Sequence, residues 1–598
     1  MSRKRRDAKK RDPRVSVPHA SPPEPRRWLA LVAVAVLTVI AFIPALGAEF
    51  VAWDDPANFL QNPHYRGLGL TQLEWMWTST LLGHYVPVTW MTLGLDYVLW
   101  GMNPAGYHAV NVSLHAVNAV LLYFIARRLL RLATPDTLDA RTLDVASAFA
   151  ALLFAIHPLR VESVAWITER RDMVSLCFSF ATVLCYLRAT SDSTRFARWY
   201  GVSLATFVCA LLSKGTAVTL PAALLVMNVY PLRRLGRPST WSAGPARRAL
   251  AELIPYGVLS LAFGILSIIV LEPKGQLPAY GKVVVSAYSF AFYLWKTIAP
   301  VGLAPLYETP PAVNPVAPSF IVSYVVTIAV LVAAWFVRRR WPAVTAAVVA
   351  FTLLVFPFLG IIQNGPHIAA DRYTYHAAPA LAVLAAGVVT LPVRRIVLAA
   401  AGGFVLAALG SLTWRQTHVW QSSETVWRRV LELDSESYLA NNNLGVLLAE
   451  QGKSAEAIEH YNRSLRTRPG YADAHNNLGF ELAERGDIDG ALTHYAKAIE
   501  IQPSYADAEV NWGNALVMQR RFDEAITHYA KAAAIDPARA GIHFNWGIAL
   551  REKEDLAGAV EHFTTAVSLD PELDDARRML AEATDAMRRK RPPDSTAR

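Results

Sequence analysis

Apolar residues are distributed along the chain in two different ways. Between residues 28 and 414, apolar runs of 15–24 residues follow one another with polar stretches between them. A bilayer core takes about 20 apolar residues per helix, and a spanning segment must be helical because lipid offers its backbone no hydrogen bonds. From residue 415 onwards the sequence is polar and charged. The pattern therefore predicts an all-α chain, with a polytopic membrane domain followed by a water-soluble domain.

The placement of basic residues predicts how the apolar runs cross the membrane. Eleven runs are predicted to span it: 28–48, 106–126, 143–157, 173–188, 199–213, 215–231, 250–271, 319–337, 342–361, 375–391 and 396–413. With eleven crossings, the Lys/Arg clusters between runs fall on the cytoplasmic side. A twelfth crossing, by the apolar segment 283–300, would break this pattern, so that segment is predicted to be re-entrant or interfacial. The N-terminus is then cytoplasmic in a multi-pass inner (plasma) membrane protein, and the C-terminal domain is periplasmic.

The C-terminal region repeats with a constant period. The recurring positions are Pro469, Pro503, Pro537 and Pro571, Gly445, Gly479, Gly513 and Gly547, Ala457, Ala491, Ala525 and Ala559, and Tyr461, Tyr495, Tyr529 and Phe563. A helix–turn–helix unit of about 34 residues, with small residues where its helices cross, is the tetratricopeptide repeat (TPR). The predicted organisation is a basic tail (1–27), the membrane domain (28–414), a degenerate half-repeat (415–437), four repeats with a capping helix (438–590) and a short tail (591–598).

An asparagine recurs at an equivalent position of each inner helix: Asn443, Asn477, Asn511 and Asn545. A row of side-chain amides can donate to and accept from a peptide backbone without reading its side chains. These four residues are therefore candidates for binding a peptide on the concave face of the array. The alternative is that asparagine serves helix packing at this position of the repeat.

Composition and charge exclude two classes of protein. Charged residues make up 18% of the chain, against about 25% in soluble domains, which argues against an ordinary cytosolic enzyme. The net charge is +10, but residues 1–27 supply seven of those charges. A basic tail before a membrane span is typical of cytoplasmic retention beside anionic lipid, so nucleic-acid binding is not predicted. The three cysteines all lie in apolar runs, which implies no disulfide framework.

Two adjacent acids, Asp54 and Asp55, directly follow the first apolar run. On the predicted topology they lie in the first outer loop, where either is a candidate general base. The alternative is that one of them caps the helix that follows.

The outer loops also carry cations where the positive-inside trend predicts few. They are Arg160, Arg170, Arg171, Lys214 and Arg372. Cations kept outside against this bias suggest a bound anion, and a lipid phosphate is the natural candidate. The alternative is pairing with the nearby carboxylates or with lipid headgroups; those carboxylates are Glu162, Glu169, Asp172 and Asp371.

These loops resemble the transmembrane and TPR-containing (TMTC) O-mannosyltransferase family and its bacterial relatives, which have the GT-C glycosyltransferase architecture. The matching stretches are Trp-Asp-Asp at 53–55, His-Tyr-Val-Pro-Val-Thr-Trp at 84–90, Asn-Pro-Ala-Gly-Tyr-His-Ala-Val-Asn at 103–111 with His115, His-Pro-Leu-Arg-Val-Glu-Ser-Val-Ala-Trp at 157–166, Glu-Arg-Arg-Asp at 169–172, Lys214, and Asp-Arg-Tyr-Thr-Tyr at 371–375. The resemblance covers about 28–414 and extends to the C-terminal TPR array, so the order of the two domains agrees as well. One departure is Val86, where eukaryotic members tend to have arginine.

The resemblance implies transfer of a sugar, mannose or another hexose, from a polyprenyl-phosphate donor to Ser/Thr hydroxyls of extracytoplasmic proteins. Asp54 aligns best with the family's acid at the acceptor, and Asp55 follows it. The donor phosphate would be stabilised by some of the five outer cations, and the TPR array would bind the acceptor or a partner. Groups that could orient sugar or acceptor are His84, Tyr85, His108, Glu162 and Tyr373, with a structural hydrogen bond as the alternative role of each histidine.

No obligatory cofactor is predicted beyond the polyprenyl-phosphate sugar as co-substrate. A divalent metal held by Asp54, Asp55 and a histidine stays open, since no ligand spacing here is diagnostic. Two other functions also stay open: a non-catalytic TPR scaffold for envelope or secretion assembly, and a GT-C enzyme acting on glycolipid or polysaccharide. The outer cations near an acid favour an enzyme, and a peptide-binding array favours a protein acceptor.

Overall fold

A computed structural model describes residues 27–134, 138–236, 241–242, 244–271, 277–310, 313–360, 365–391 and 395–590. The predicted tail 591–598, and the basic tail up to residue 26, lie outside these residues. Within them the chain is helical, as predicted, apart from two short strands. Strands β1 (Tyr307–Glu308) and β2 (His367–Ala369) form an antiparallel ribbon that the sequence did not predict.

The first region is built from sixteen helices among the described residues. They are α1 Arg27–Phe42, α2 Leu70–Thr78, α3 Pro87–Trp100, α4 Pro104–Ala133, α5 Ala140–Ala155, α6 Val161–Ala165, α7 Arg170–Ser191, α8 Phe196–Ser213, α9 Leu220–Val229, α10 Gly244–Ala251, α11 Ile254–Val270, α12 Ala279–Ile298, α13 Pro318–Val337, α14 Pro342–Val355, α15 Ala378–Gly387 and α16 Arg395–Val419. Seven helical stretches are long and apolar enough to cross a membrane, and an eighth is a pair bent by 57° (α5 with residues 158–165). Three shorter apolar helices complete a set that coincides with the eleven predicted runs.

The segment predicted to be re-entrant or interfacial forms α12, which is not among these membrane candidates. The helix before it, α11, ends where Ser267 contacts Gly215, in the turn after α8. Further along α12, the Ser289 hydroxyl donates to the carbonyl of Ile368 at 2.9 Å, and the Thr297 carbonyl accepts from His157 at 3.1 Å. The helix therefore packs against one end of the bundle, and its re-entrant or interfacial placement stays a prediction. We call this end, which carries residues 48–103, 156–172, 213–215 and 365–377, the loop end.

The second region is the predicted repeat array. Its helices are the half-repeat α17 Ser423–Leu433, the pairs α18 Tyr438–Glu450 with α19 Ser454–Thr467, α20 Ala472–Glu484 with α21 Ile488–Ile501, α22 Ala506–Met518 with α23 Phe522–Ile535, and α24 Ala540–Glu552 with α25 Leu556–Leu569, and the capping helix α26 Asp574–Lys590. A Cβ added at Gly479 would lie 2.7 Å from the ring of Tyr495. Glycine is needed at this position because the aromatic side chain of the second helix lies directly against the first.

The array is attached to the loop end of the bundle. Four side chains, here called the tryptophan stack, join the two regions: Trp53, Trp166, Trp420 and Trp427. Trp53 lies between Trp166 and Trp427, with ring centroids 5.2 and 5.0 Å away, and Trp420 packs on Trp166 at 5.6 Å. The first loop is also tied to α17 directly, since the backbone N–H of Ala52 donates to the Ser423 hydroxyl at 2.7 Å. The half-repeat therefore packs against the loop that carries the tandem acids.

Candidate functional site

Asp55 is fully buried between the first and second loops of the loop end. Its carboxylate accepts hydrogen bonds from the Val51 backbone at 2.8 Å, the Trp166 indole at 3.0 Å and the Thr168 hydroxyl at 2.6 Å. Burial raises the pKa of Asp55 to about 7, although these hydrogen bonds oppose the rise. Both carboxylate oxygens are thus engaged within the protein. The prediction of Asp55 as a base is replaced by a positioning role, in which it fastens the first loop to the second.

Asp54 lies one residue earlier and is only half-buried. Its charge acts electrostatically on Arg171, in the second loop region. Arg171 in turn donates to Glu169, which also accepts from Lys214. The first acid and the lysine predicted to bind phosphate therefore belong to one connected set of charges, although they are far apart in the sequence.

The centre of this set is Glu169, whose carboxylate has no exposed surface. It accepts hydrogen bonds from Arg171 Nη2 at 2.7 Å and from Lys214 Nζ at 3.0 Å, and it forms an ion pair with Arg372 Nε at 3.2 Å. Two more carboxylates complete what we call the charged cluster: Asp172, which accepts from Lys214 Nζ at 2.6 Å, and Glu162, which pairs with Arg372. Three cations are thus paired with three carboxylates. This arrangement agrees with the alternative to a bound anion, in which the outer cations pair with nearby carboxylates.

Two of the predicted orienting side chains border the charged cluster. Burial and the nearby cations Arg171 and Lys214 hold the pKa of His84 well below its ordinary value, so its imidazole is neutral at pH 7. The ring of Tyr373 stacks on Phe358 with centroids 4.1 Å apart, and its hydroxyl is hydrogen-bonded to His367. His84 and Tyr373 therefore add neutral hydrogen-bonding groups beside the charged ones.

Arg160 lies deeper than the cluster and is almost fully buried. One guanidinium nitrogen donates to the Thr374 hydroxyl, and the group packs over the rings of Phe154 and Tyr375 at 5.6 and 5.8 Å. Its Nε and Nη1 are buried without a hydrogen-bond partner among the described residues. Because unsatisfied buried donors are costly, these nitrogens favour water or an anion beside them. A phosphate-binding role for Arg160 stays a prediction.

Three predicted site residues lie apart from the charged cluster. Arg170 is buried in an ion pair with Asp96 at 2.6 Å and also donates to the Tyr107 carbonyl at 2.9 Å. Arg170 and Arg171 begin α7 and, as successive helical residues, point about 100° apart, so only one of them reaches the cluster. Arg170 therefore lies outside the charged cluster, where it joins α7 to α3 and α4, and a phosphate-binding role for it stays a prediction.

The other two are His108 and Tyr85. His108 is buried beside the carbonyls of Ala48 and Glu49, but neither ring nitrogen makes a hydrogen bond within the described residues, so its orienting role and its structural role both stay predictions. The Tyr85 hydroxyl donates to the Trp77 carbonyl at 3.0 Å, on the edge of the first loop.

The described part of the chain contains no arranged set of metal ligands. No group of three or more His, Cys, Asp or Glu side chains there is arranged to hold a metal ion. Of the proposed ligands, Asp55 already accepts three hydrogen bonds. A metal role for Asp54 with a histidine stays an untested prediction.

The recurring asparagines of the array are hydrogen-bonded between repeats. Asn477 donates to Asn442 at 3.1 Å, and Asn511 donates to Asn476 at 3.0 Å. These two amides therefore serve the packing role that was the alternative to peptide binding. All four asparagines, Asn443 and Asn545 included, remain half-buried.

Sequence reasoning missed two features of the loop end and the array. The tryptophan stack has no periodic spacing, so nothing in the sequence indicated it. Histidine, by contrast, recurs at one equivalent position of every repeat, at His460, His494, His528 and His562. Each contacts the preceding helix, as His494 does through His475 at 2.9 Å, and the repeat period could have revealed this row.

Fold and site together describe a multi-pass helical protein whose loop end carries a buried charged cluster beneath a TPR array. Two tetratricopeptide repeat family models match residues 436–504 and 482–543. These matches confirm the predicted array.

Among curated proteins the chain is similar to protein O-mannosyl-transferases of the TMTC type. Human TMTC1 is 26% identical over 498 residues, covering 72% of this chain and 54% of that protein. Human TMTC3 is 22% identical over 65% of this chain, and mouse TMTC2 is 34% identical over 26% of it. The predicted TMTC-type resemblance is thus confirmed. The chain spans about half the length of the TMTC1 proteins that it matches.

Some solved structures are similar to about a quarter to a third of this chain. A crystal structure of MamA is 23% identical, covering 26% of this chain and 84% of that one, with a TM-score of 0.23. A structure titled as YrrB, a TPR protein with an unusual peptide-binding site, is 22% identical over 31% of this chain, with a TM-score of 0.24.

Proposed function

We propose that this protein is a membrane glycosyltransferase that transfers mannose or another hexose from a polyprenyl-phosphate donor to Ser/Thr hydroxyls of extracytoplasmic proteins. The observation that carries the proposal is the position of Asp54, half-buried and electrostatically coupled to Arg171 at the edge of the charged cluster. Relatives named protein O-mannosyl-transferases over most of this chain support the same class of reaction.

In the proposed reaction, the acceptor oxygen forms a bond to the anomeric carbon as the bond from that carbon to the donor phosphate breaks. The acceptor proton passes to the Asp54 carboxylate, and the electron pair of the broken bond stays on the phosphate oxygen. Negative charge therefore grows on the phosphate, where cationic N–H donors stabilise it. Because attack and departure occur on opposite faces of the carbon, the anomeric configuration inverts.

The charged cluster suits phosphate binding because some of its cationic N–H groups are not used by the carboxylates. Arg171 donates to Glu169 through Nε and Nη2, and its Nη1 makes no hydrogen bond within the described residues. Lys214 donates twice, to Glu169 and Asp172, and an ammonium has three N–H groups. The carboxylates hold these side chains in place, and the remaining N–H groups are proposed to bind the phosphate.

The array is proposed to deliver a protein acceptor. Its half-repeat packs on the first loop through the tryptophan stack, so a peptide on the array lies next to the loop that carries Asp54. We propose that the loop end and the array face the periplasm together, as the basic-residue pattern predicts.

A second candidate function is a TPR scaffold without catalysis. The neutral balance of the charged cluster favours it, because three cations with three carboxylates need no ligand to be stable. Transfer activity distinguishes the two candidates.

The test is Asp54→Asn in the full-length protein, assayed for transfer from a polyprenyl-phosphate mannose donor to envelope proteins. Removing a general base lowers rates by about 10²–10⁴-fold, so transfer should fall by at least about 100-fold. The matched control is Asp507→Asn, an exposed aspartate of the array that pairs with Arg539. Unchanged transfer by Asp54→Asn would exclude Asp54 as the base, and no transfer by the unmodified protein would favour the scaffold.

A further inference from the structure

A second candidate site lies where the membrane domain meets the half-repeat. A cavity of about 500 Å³ opens between the loop after α12, the last turns of α16 and the outer face of α17. None of the residues of the charged cluster lines it. Its volume falls within the range of sites that hold small ligands, about 300–1,000 Å³.

The described walls of this cavity carry an excess of positive charge. Arg415, Arg428 and Arg429 line it together with a single carboxylate, Glu432. Arg429 donates to the Leu303 carbonyl at 3.2 Å and to Glu432 at 2.9 Å, which fixes its guanidinium at the wall. Arg415 makes no hydrogen bond or ion pair within the described residues and is exposed. Arg428 likewise pairs with Glu424 at 2.8 Å, so Arg415 is the cation of the described walls that the protein itself does not neutralise.

The cavity also sits at the end of an apolar surface. Arg415 lies in the last turns of a helical stretch apolar enough to cross a membrane, Ile396–Val419, on which Phe404 is 76% exposed. On the facing segment, Ile298 is 80% exposed and Val301 is 58% exposed. Trp414, beside Arg415, is partly exposed too, as is common where a span meets the headgroup region.

We propose that this cavity binds the phosphate group of a membrane lipid with net negative charge, and that the lipid chain lies along the apolar surfaces of α16 and α12. Guanidinium groups match phosphate with paired hydrogen bonds, and the apolar approach favours a lipid over a purely water-soluble anion. An arginine at a helix end can also reach headgroups without a specific site. Here, however, two of the three arginines belong to α17, outside the span, so the bound lipid would join the membrane domain to the array.

The experiment measures lipid binding to the full-length protein in neutral detergent by native mass spectrometry. The probes are phosphatidylglycerol, phosphatidylcholine and a long-chain polyprenyl phosphate, each added alone. The double substitution Arg415→Gln with Arg429→Gln should weaken phosphatidylglycerol binding at least tenfold. The matched control is Arg463→Gln with Arg466→Gln, which removes two exposed charges from the array. The single Arg415→Gln, at an unpaired exposed residue, repeats the test where the double variant unfolds.

Comparing the binding of the three lipids identifies which lipid supplies the phosphate. Equal binding of phosphatidylglycerol and polyprenyl phosphate identifies a general headgroup site, and tenfold tighter binding of polyprenyl phosphate identifies a prenyl-lipid site; both support the proposal. Binding of phosphatidylcholine as tight as that of phosphatidylglycerol, or unchanged binding by the arginine variants, overturns it. No sugar is present, so this outcome is independent of the proposed transfer activity.

Discussion

The charged cluster and the repeat array use ion pairs in opposite ways. In the cluster, the side chains of Glu169 and Lys214 are 0% and 10% exposed, and one carboxylate serves several cations. In the array, pairs such as Arg463 with Glu459 lie on the surface, with side chains 44% and 61% exposed. Buried charges without partners are strongly penalised, whereas exposed pairs contribute little. The cluster is therefore a single interdependent unit, and the array's pairs are individually dispensable.

The largest effect is expected from a substitution at the centre of the charged cluster. Glu169→Ala removes the carboxylate shared by Arg171, Lys214 and Arg372, leaving three cations with too few acceptors in a buried site. Loss of one partner from a buried ion pair costs about 3–5 kcal/mol. We expect a large fall in thermal stability in detergent, measured by the unfolding midpoint of the full-length protein.

The matched substitution in the array is Glu459→Ala. Its pair with Arg463 is exposed, and such pairs contribute about 0–1 kcal/mol, so the unfolding midpoint should barely move. Equal effects of the two substitutions would show that the cluster is solvated, and the contrast between the two regions would be wrong.

The next effect tests the array, where packing and not charge sets the structure. Gly479→Ala places a Cβ 2.7 Å from the Tyr495 ring and 3.2 Å from the Ala491 carbonyl. Overpacking of this kind costs about 1–3 kcal/mol. Hydrogen exchange should become faster in α20 and α21 and stay unchanged at the loop end.

Gly541→Ala serves as the control, since a Cβ there meets nothing within 4 Å. Alanine is a better helix former than glycine, so this substitution should be neutral or slightly stabilising. Protection lost equally in both variants would indicate that helix propensity, not the close approach at Gly479, determines the result.

The two regions also differ in how far their sequence predicts them. Repeat positions such as Gly479 and Tyr495 contact each other within one unit, so the repeat period alone suffices to predict the array. The apolar runs likewise predict the spans, because each helix must satisfy its own backbone in lipid.

The charged cluster could be predicted only as a set of candidate residues. Arg372 and Glu162 are 210 residues apart, and no local pattern pairs them. Composition could not separate Arg171 from Arg170 or Asp54 from Asp55, because neighbours in sequence point to different surroundings. The β1–β2 ribbon was missed for a related reason, since its strands are too short to show a strand period.

A third prediction concerns the pH dependence of the loop that carries Asp54. Because burial raises the pKa of Asp55 to about 7, lowering the pH below 7 protonates it. A protonated carboxyl accepts fewer of the three hydrogen bonds from Val51, Trp166 and Thr168, so the loop loosens. If ionised Asp55 positions the loop, transfer at one pH unit below that pKa should be about tenfold lower than its plateau at high pH.

Asp55→Asn distinguishes this positioning role from titration elsewhere. Asparagine keeps one oxygen for Trp166 and Thr168 but turns an N–H towards Val51, and it does not titrate. We expect lower transfer at pH 8 and a flatter profile on the acid side. A variant profile with the same acid limb as the unmodified protein would assign that limb to another group.

The smallest effect concerns the asparagine row, where the array's packing and its proposed peptide binding make different predictions. Asn477 donates to Asn442, whereas the Asn545 side chain makes no hydrogen bond within the described residues. Asn477→Ala should therefore lower the stability of the array by about 1 kcal/mol, and Asn545→Ala should have less effect. If both amides bind an acceptor peptide, both substitutions should weaken transfer to protein in similar measure despite their unequal stability costs. Transfer that falls only with Asn477→Ala would mean that the row serves packing alone, and the array would then hold its partner through other residues.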